Sequence, residues 1–226
     1  MEVSERSAFK VYCGGPLFNP KEQEEMQAIA AVLEAQGYNV FLPQRDGLEL
    51  ARILPILLEK SVPAEQASLI LNKAIFALDV YEVMDSDGLV LNMNGRVPDE
   101  GAMVEAGIAW AYGKEVVVYN SDDRSLVQGS CNPLVMGLGD FESVDDYAKI
   151  PITFKAKFAG KRPGVSNGVT SAFADARNRG AKIGECLRNQ RDPREITYLL
   201  LELFGEGTCA TSKGLKEISS PAVTRP

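Results

Sequence analysis

Four short apolar runs, separated by stretches of helical periodicity, constrain this chain more than any other feature. The runs are FKVYCGG from Phe9, YNVFLP from Tyr38, GLVLNM from Gly88 to Met93, and EVVVYN from Glu115 to Asn120. Between the first two, Asn19 reads as a helix N-cap, with Pro20 at the first helical position and Glu22 at the third. Met26, Ile29, Ala30 and Leu33 recur at helical spacing, which predicts a helix from about Pro20 to Gln36, stopped by Gly37. A crossover helix of this kind makes its two flanking strands parallel. Ala67, Ile70, Leu71, Ala74, Ile75 and Leu78 mark a second amphipathic helix from Ala64 to about Met84. Asp99 opens a third, which ends at Gly113 and Lys114. Strands this apolar must be covered on both faces, so the expected architecture is α/β: a doubly wound parallel sheet, flavodoxin-like or Rossmann-like, with helices on both faces. Ligands of such sheets sit outside the carboxyl ends of the strands. That directs attention to Gly14–Asn19, to Asn92–Glu105 and to the segment after Asn120.

The α/β pattern occupies residues 9–159 of 226, preceded by a polar leader (1–8) that is expected to be flexible. From about Gly160 the composition changes to KRPGVSNGVTS, a linker-like stretch. Residues 160–226 are expected to form a partly helical extension, with pieces near Ala172–Asn189 and Pro193–Phe204, before a mobile polar tail. Residues 44–63 read as irregular or weakly helical. No apolar run approaches the ~20 residues of a membrane span, and the first residues lack the apolar stretch of a secretory signal, so a cytoplasmic protein without membrane contact is expected.

Composition limits the chemistry. The formal net charge is −7, the wrong sign for a chain whose main partner is a nucleic-acid backbone, and a small, weakly charged substrate fits better. There is no histidine, which removes Ser-His and Cys-His nucleophilic systems and the commonest general base together. Cys13, Cys131, Cys186 and Cys209 are scattered, form no C-x-x-C pair and read as reduced thiols, so no metal site is expected. The Gly14–Gly15 pair matches neither a dinucleotide fingerprint nor a phosphate loop. Acid–base work is left to carboxylates, Tyr, Lys or Cys.

In GAMVEAGIAWAYG (Gly101–Gly113) the only charge is Glu105, on a face with Ala102, Ile108, Ala109 and Tyr112. It is either a first-turn carboxylate satisfied by backbone N–H groups or a desolvated carboxylate held for reaction. Asp99 reads as an N-cap, a role compatible with a second one in a ligand site. Asp79 reads as a surface or helix-end acid, Asp87 as a backbone partner and Asp85 as solvated.

Taken in order, these residues resemble the nucleoside 2-deoxyribosyltransferase family over roughly Phe9 to Tyr147. The resemblance rests on Y-x-x-G-x-x-F (Tyr12, Gly15, Phe18), on Asp79 near the end of the second helix, on D-x-G-x-x-x-E-x-G (Asp99, Gly101, Glu105, Gly107) and on an N-x-M-x-x-G-like segment from Asn132 to Gly137. In that last segment Leu134 stands where the family often has Met, and Met136 lies two places on. The resemblance implies that Glu105 is a nucleophile toward the anomeric carbon, that Asp99 binds the deoxyribose hydroxyls and that Asp79 exchanges a proton with the base. It implies that Tyr12 orients Glu105, and that Asn132, with Leu134 beside it, reaches the sugar pocket of a neighbouring subunit. PQRDG (Pro43–Gly47) lies where the family binds the base, so Gln44 or Asp46 is expected to read its edge, with a lean toward purines.

What the resemblance implies is therefore a homo-oligomeric enzyme acting on deoxynucleosides and free nucleobases, with no cofactor. It would pass the deoxyribosyl group between bases by a retaining double displacement. Two other classes remain open: an N-glycoside hydrolase of nucleosides or their 5′-monophosphates, and a nucleoside-sensing module without catalysis. The apolar GGPLF loop disfavours a phosphate, and an intact Asp79, Asp99 and Glu105 disfavours the sensor.

Overall fold

The structure is a computed structural model that describes residues 9–48, 53–55, 58, 63–95, 98–122, 132–164, 171, 182 and 189. The chain divides into two compact units, Met1–Thr170 and Ser171–Pro226. The leader, both helical pieces expected beyond Gly160 and the tail lie outside the described residues, apart from isolated positions. So do Cys131, Cys186 and Cys209.

The first unit holds a five-stranded, all-parallel sheet in the order β2-β1-β3-β4-β5. Its strands are β1 (Lys10–Gly14), β2 (Asn39–Phe41), β3 (Gly88–Asn92), β4 (Glu115–Tyr119) and β5 (Ser143–Val144). The helices are α1 (Pro20–Glu34), α2 (Pro43–Asp46), α3 (Ala64–Asp85), α4 (Glu100–Ala111), α5 (Pro133–Leu138) and α6 (Lys149–Lys157). The expected doubly wound fold is therefore present. Side chains alternate along each strand, so Val11, Cys13, Val90 and Val117 pack on one face with Met26, Ile29 and Leu33 of α1 and Ile150 and Phe154 of α6. Tyr12, Leu89, Leu91, Val116 and Val118 face the other way, against Val83 of α3 and Ala102, Ala106 and Ala109 of α4. This double burial is why the strands read as continuous apolar runs.

The start of α1 follows the local code: Pro20 opens it and Asn19 Oδ1 accepts from Glu22 N at 3.1 Å. Its regular turns end at Glu34, and Gly37 takes φ +83°, a conformation that glycine adopts without strain.

Two expectations fail outside the site. Ile70 does not pack on the core: it is 41% exposed, while Ala67, Leu71 and Val83 are the buried residues of α3. Leu69, Phe76, Tyr81 and Met84 are exposed as well, so α3 is apolar on more than one side and periodicity could not choose its buried face. Asp85 is not simply solvated, because its Oδ2 pairs with Lys10 Nζ at 2.7 Å. Lys10 sits buried at the start of β1 and also meets Glu82, so α3 supplies the countercharge that a sequestered ammonium needs. Asp87 has the backbone role expected of it, accepting from Lys10 N at 2.8 Å and Gly164 N at 2.6 Å.

Candidate active site

In the order 2-1-3-4-5 the crossovers leave β1 and β3 on opposite sides of the sheet, which opens a crevice beyond their carboxyl ends. A cleft of about 490 Å³ lies there, a volume suited to a small organic ligand. Its wall brings together Gly15, Phe18, Gln44, Asp79, Asp99 and Glu105 from four separate stretches of chain.

Tyr12 projects from β1 and is fully buried, stacked at 5.4 Å on Phe41 of β2. Its hydroxyl donates to Glu105 Oε1 at 2.7 Å, across 93 residues of sequence. Burial first, then the negative charges of Glu105 and Asp79, push the Tyr12 phenol well above its usual range. It therefore stays a neutral donor. Glu105 sits six residues, nearly two turns, beyond the α4 N-cap at Asp99. There Asp99 Oδ1 accepts from Ala102 N at 2.6 Å, so Asp99 is both cap and cleft wall. A Cβ at Gly101 would approach Asp99 Oδ1 to 3.2 Å, so a larger residue at 101 would crowd this carboxylate. Gly15 is required sterically, because a Cβ there would fall 2.6 Å from Met26 Sδ and 2.8 Å from Asn92 Cβ.

The Glu105 carboxyl is pushed up to about 7: burial leads, the Tyr12 hydrogen bond pulls against it, and the charges of Asp79 and Asp99 add to the rise. Asp79, half-buried on α3, is also raised, by burial first and then by Glu82. The two carboxyl groups to which the resemblance gives different roles, nucleophile and proton carrier, thus share a direction of shift. Glu105 is held near the midpoint of its titration at neutral pH rather than far above it.

This has a consequence for stability. The folded protein keeps a proton on Glu105 up to about 7, whereas a free carboxyl loses it near 4.5, so between those values the folded state binds more protons. Stability contributed at this position falls as pH rises through that window, by roughly 3 kcal/mol when complete. Glu105→Gln is therefore expected to be more stable than wild type by about 2–3 kcal/mol at pH 8, with the gain gone by pH 4. Urea melts at both pH values check this. A gain of the same size at pH 4 would show that it does not come from ionisation.

Several expected site residues are elsewhere or differently used. Asp46 is not among the cleft residues: its Oδ2 accepts from Leu42 N at 2.8 Å, and its carboxylate pairs with Arg45 at 2.9 Å, closing the turn of α2. Gln44 does line the cleft; its Nε2 donates to Gln23 O at 2.9 Å, while Oε1 is buried with no hydrogen-bond partner among the described residues. Asn132 and Leu134 are not among the residues that line the cleft. Asn132 caps α5 by accepting from Leu134 N at 2.9 Å, and Leu134 is 84% exposed. Phe18, 81% exposed, stands at the rim beside Leu17.

Sequence reasoning missed Gln23, Ile75 and Leu78 as wall residues. The last two had been placed on the core face of α3 by their spacing, and a core face and a pocket face carry the same apolar signal. Among the described residues no three Cys, Asp or Glu side chains gather to hold a metal ion, and no helix is long and apolar enough to cross a membrane.

Comparison with known proteins adds a family and several structural likenesses. A family model described as nucleoside 2-deoxyribosyltransferase matches residues 11–192. A solved structure of a conserved protein from Enterococcus faecalis V583 has a TM-score of 0.51 at 21% identity, covering 67% of this chain and 99% of its own. A 2-deoxyribosyltransferase from Bacillus psychrosaccharolyticus has a TM-score of 0.47 at 18% identity, covering 69% of this chain and 98% of its own. A CMP N-glycosidase from Clostridium botulinum has a TM-score of 0.38 at 16% identity, covering 66% of this chain and 98% of its own. No curated protein matches. At 21% identity the Enterococcus likeness is one of fold.

Proposed function

Because the chain belongs to the nucleoside 2-deoxyribosyltransferase family, we propose that it moves the 2-deoxyribosyl group from one nucleobase to another through a covalent ester on Glu105. The observation that carries this reading is the Glu105 carboxylate, partly buried and held by Tyr12 at 2.7 Å, in a cleft shared with Asp79 and Asp99.

In the first step a Glu105 oxygen attacks C1′ of the sugar. The C1′–N bond breaks, its electron pair stays on the base, and Asp79 protonates the departing nitrogen. In the second step a nitrogen of the incoming base attacks C1′, the Glu105–C1′ bond breaks, and Asp79 takes the proton that the new base sheds. Two inversions leave the anomeric configuration unchanged. The raised Asp79 fits a group that must be protonated in one step and ionised in the next. Asp99 binds a sugar hydroxyl while its Oδ1 holds the helix start. Gln44 meets the edge of the base between the apolar walls of Leu17, Ile75 and Leu78.

Glu105 gains its nucleophilic form as pH rises through about 7, and the rate should fall below that value. Asp79 loses its proton as pH rises through its own raised value, and the rate should fall above it. Asn132 and Leu134, exposed and not among the residues lining the cleft of their own chain, are assigned to the sugar pocket of a neighbouring copy, which makes the active form at least a dimer.

The test is incubation with deoxyinosine and adenine, followed by chromatography, with the oligomeric state taken by light scattering at the assay concentration. Deoxyadenosine should appear, faster than free deoxyribose, because an apolar cleft admits a flat base more readily than it orders a water. Free deoxyribose forming at one rate with and without adenine, and no exchanged nucleoside, would identify a hydrolase. Neither product would point to a sensor, and a fully active monomer would remove the role given to Asn132.

A further inference from the structure

The Glu105 carboxylate touches the sheet at two points, of which Tyr12 is only one. Gly14, the last residue of β1, lies against its other oxygen: a Cβ on Gly14 would fall 3.0 Å from Glu105 Oε2. The next nearest atoms, Ala102 Cβ and Val90 O, are at 3.7 Å, which is ordinary contact. The backbone of Gly14 is not in the left-handed region, so an L residue there is unstrained. What a side chain at this position would disturb is the carboxylate.

We propose that Gly14 is a positioning residue for the nucleophile, its missing side chain leaving the space in which Glu105 Oε2 rests against β1 while Tyr12 holds Oε1. The inference rests on the reading of Glu105 as the nucleophile and adds the element that fixes its reach. A carboxylate at the end of a flexible side chain yields easily, so a methyl group at position 14 is tolerated by the fold. The carboxylate then moves by a few tenths of an ångström, lengthening the Tyr12 hydrogen bond and spoiling the approach to C1′. Attack geometry is far less tolerant than packing.

Gly14→Ala is therefore expected to lower kcat at least about tenfold while KM changes less than about threefold, since base and sugar contacts remain. The acid limb of the pH–rate profile should move to higher pH, because the Tyr12 hydrogen bond that lowers the Glu105 pKa is weakened.

A double-mutant thermal cycle separates the steric contact from the chemistry. With Glu105 in place, Gly14→Ala should leave the melting temperature unchanged or lower it. In a Glu105→Ala background the new methyl group enters vacated space, and the same change should raise it by about 2 °C or more through loss of unfolded-state entropy. Unchanged kcat and pH profile in Gly14→Ala, or equal thermal effects in both backgrounds, would overturn the proposal while an inactive Glu105→Ala keeps the nucleophile reading. Full activity in Glu105→Ala would overturn both.

Discussion

Replacing Glu105 with alanine is expected to lower base exchange by ~10³-fold or more, the scale associated with removing a covalent catalyst. The size follows from the site's composition. The chain has no histidine, and the other acidic residues that line the cleft, among the described residues, are Asp79 and Asp99. Asp99 is committed at Oδ1 to the α4 start, and Asp79 is assigned to proton transfer. Neither replaces a carboxylate that Tyr12 fixes at 2.7 Å. Wild-type enzyme quenched with a deoxynucleoside should carry one deoxyribosyl group by mass spectrometry, mapped to the peptide containing Glu105, and the variant should carry none. A folded Glu105→Ala protein that retains more than a tenth of wild-type exchange would end the assignment. Circular dichroism is the necessary control, because the variant leaves the buried Tyr12 hydroxyl without its acceptor, at about 1–3 kcal/mol.

Asp79→Asn is expected to slow exchange by about 10²-fold with ordinary bases, the lower range for losing a general acid. The loss should depend on the leaving group. A base that departs with a positive charge already in place, such as an N7-methylated purine, needs no proton, and its release should be nearly as fast in the variant as in wild type. The alkaline limb of the pH–rate profile should also disappear, since asparagine has no proton to lose. Equal slowing for all bases, with the limb retained, would move proton transfer to another group. Asp79 was placed on the second helix by the sequence, but the leading cause of its raised pKa is one that no local pattern reveals. Burial leads, and Glu82, three residues along the same helix, adds to it.

Much of the site was legible because it is built from short-range devices. Asn19 and Asp99 were read as caps from the residues next to them, and each accepts a backbone N–H three residues on. Four of the five strands were legible because both their faces are buried, and the first two helices of the pattern because they connect them, whereas the two-residue, partly exposed β5 carried no such signal. The errors lie where one residue type serves two ends. Asp46 and Gln44 are two positions apart in one turn, yet one closes that turn and the other lines the cleft. Ile70, Ile75 and Leu78 carry the same apolar signal on α3, yet Ile70 is exposed while the other two face the cleft.

By itself the sequence determined the parallel α/β order, the histidine-free chemistry and the carboxylates available for it, because these depend on residue type and on spacing within a few turns. Only the tertiary structure decided that Tyr12 and Glu105 meet across 93 residues, that Gly14 makes room for Oε2, and that Glu105 is raised to about 7. Those facts depend on distances and desolvation created when β1, β3, α3 and α4 close on one another. A carboxylate's reactivity is set by what surrounds it in space, and its sequence neighbours supply only part of that surrounding.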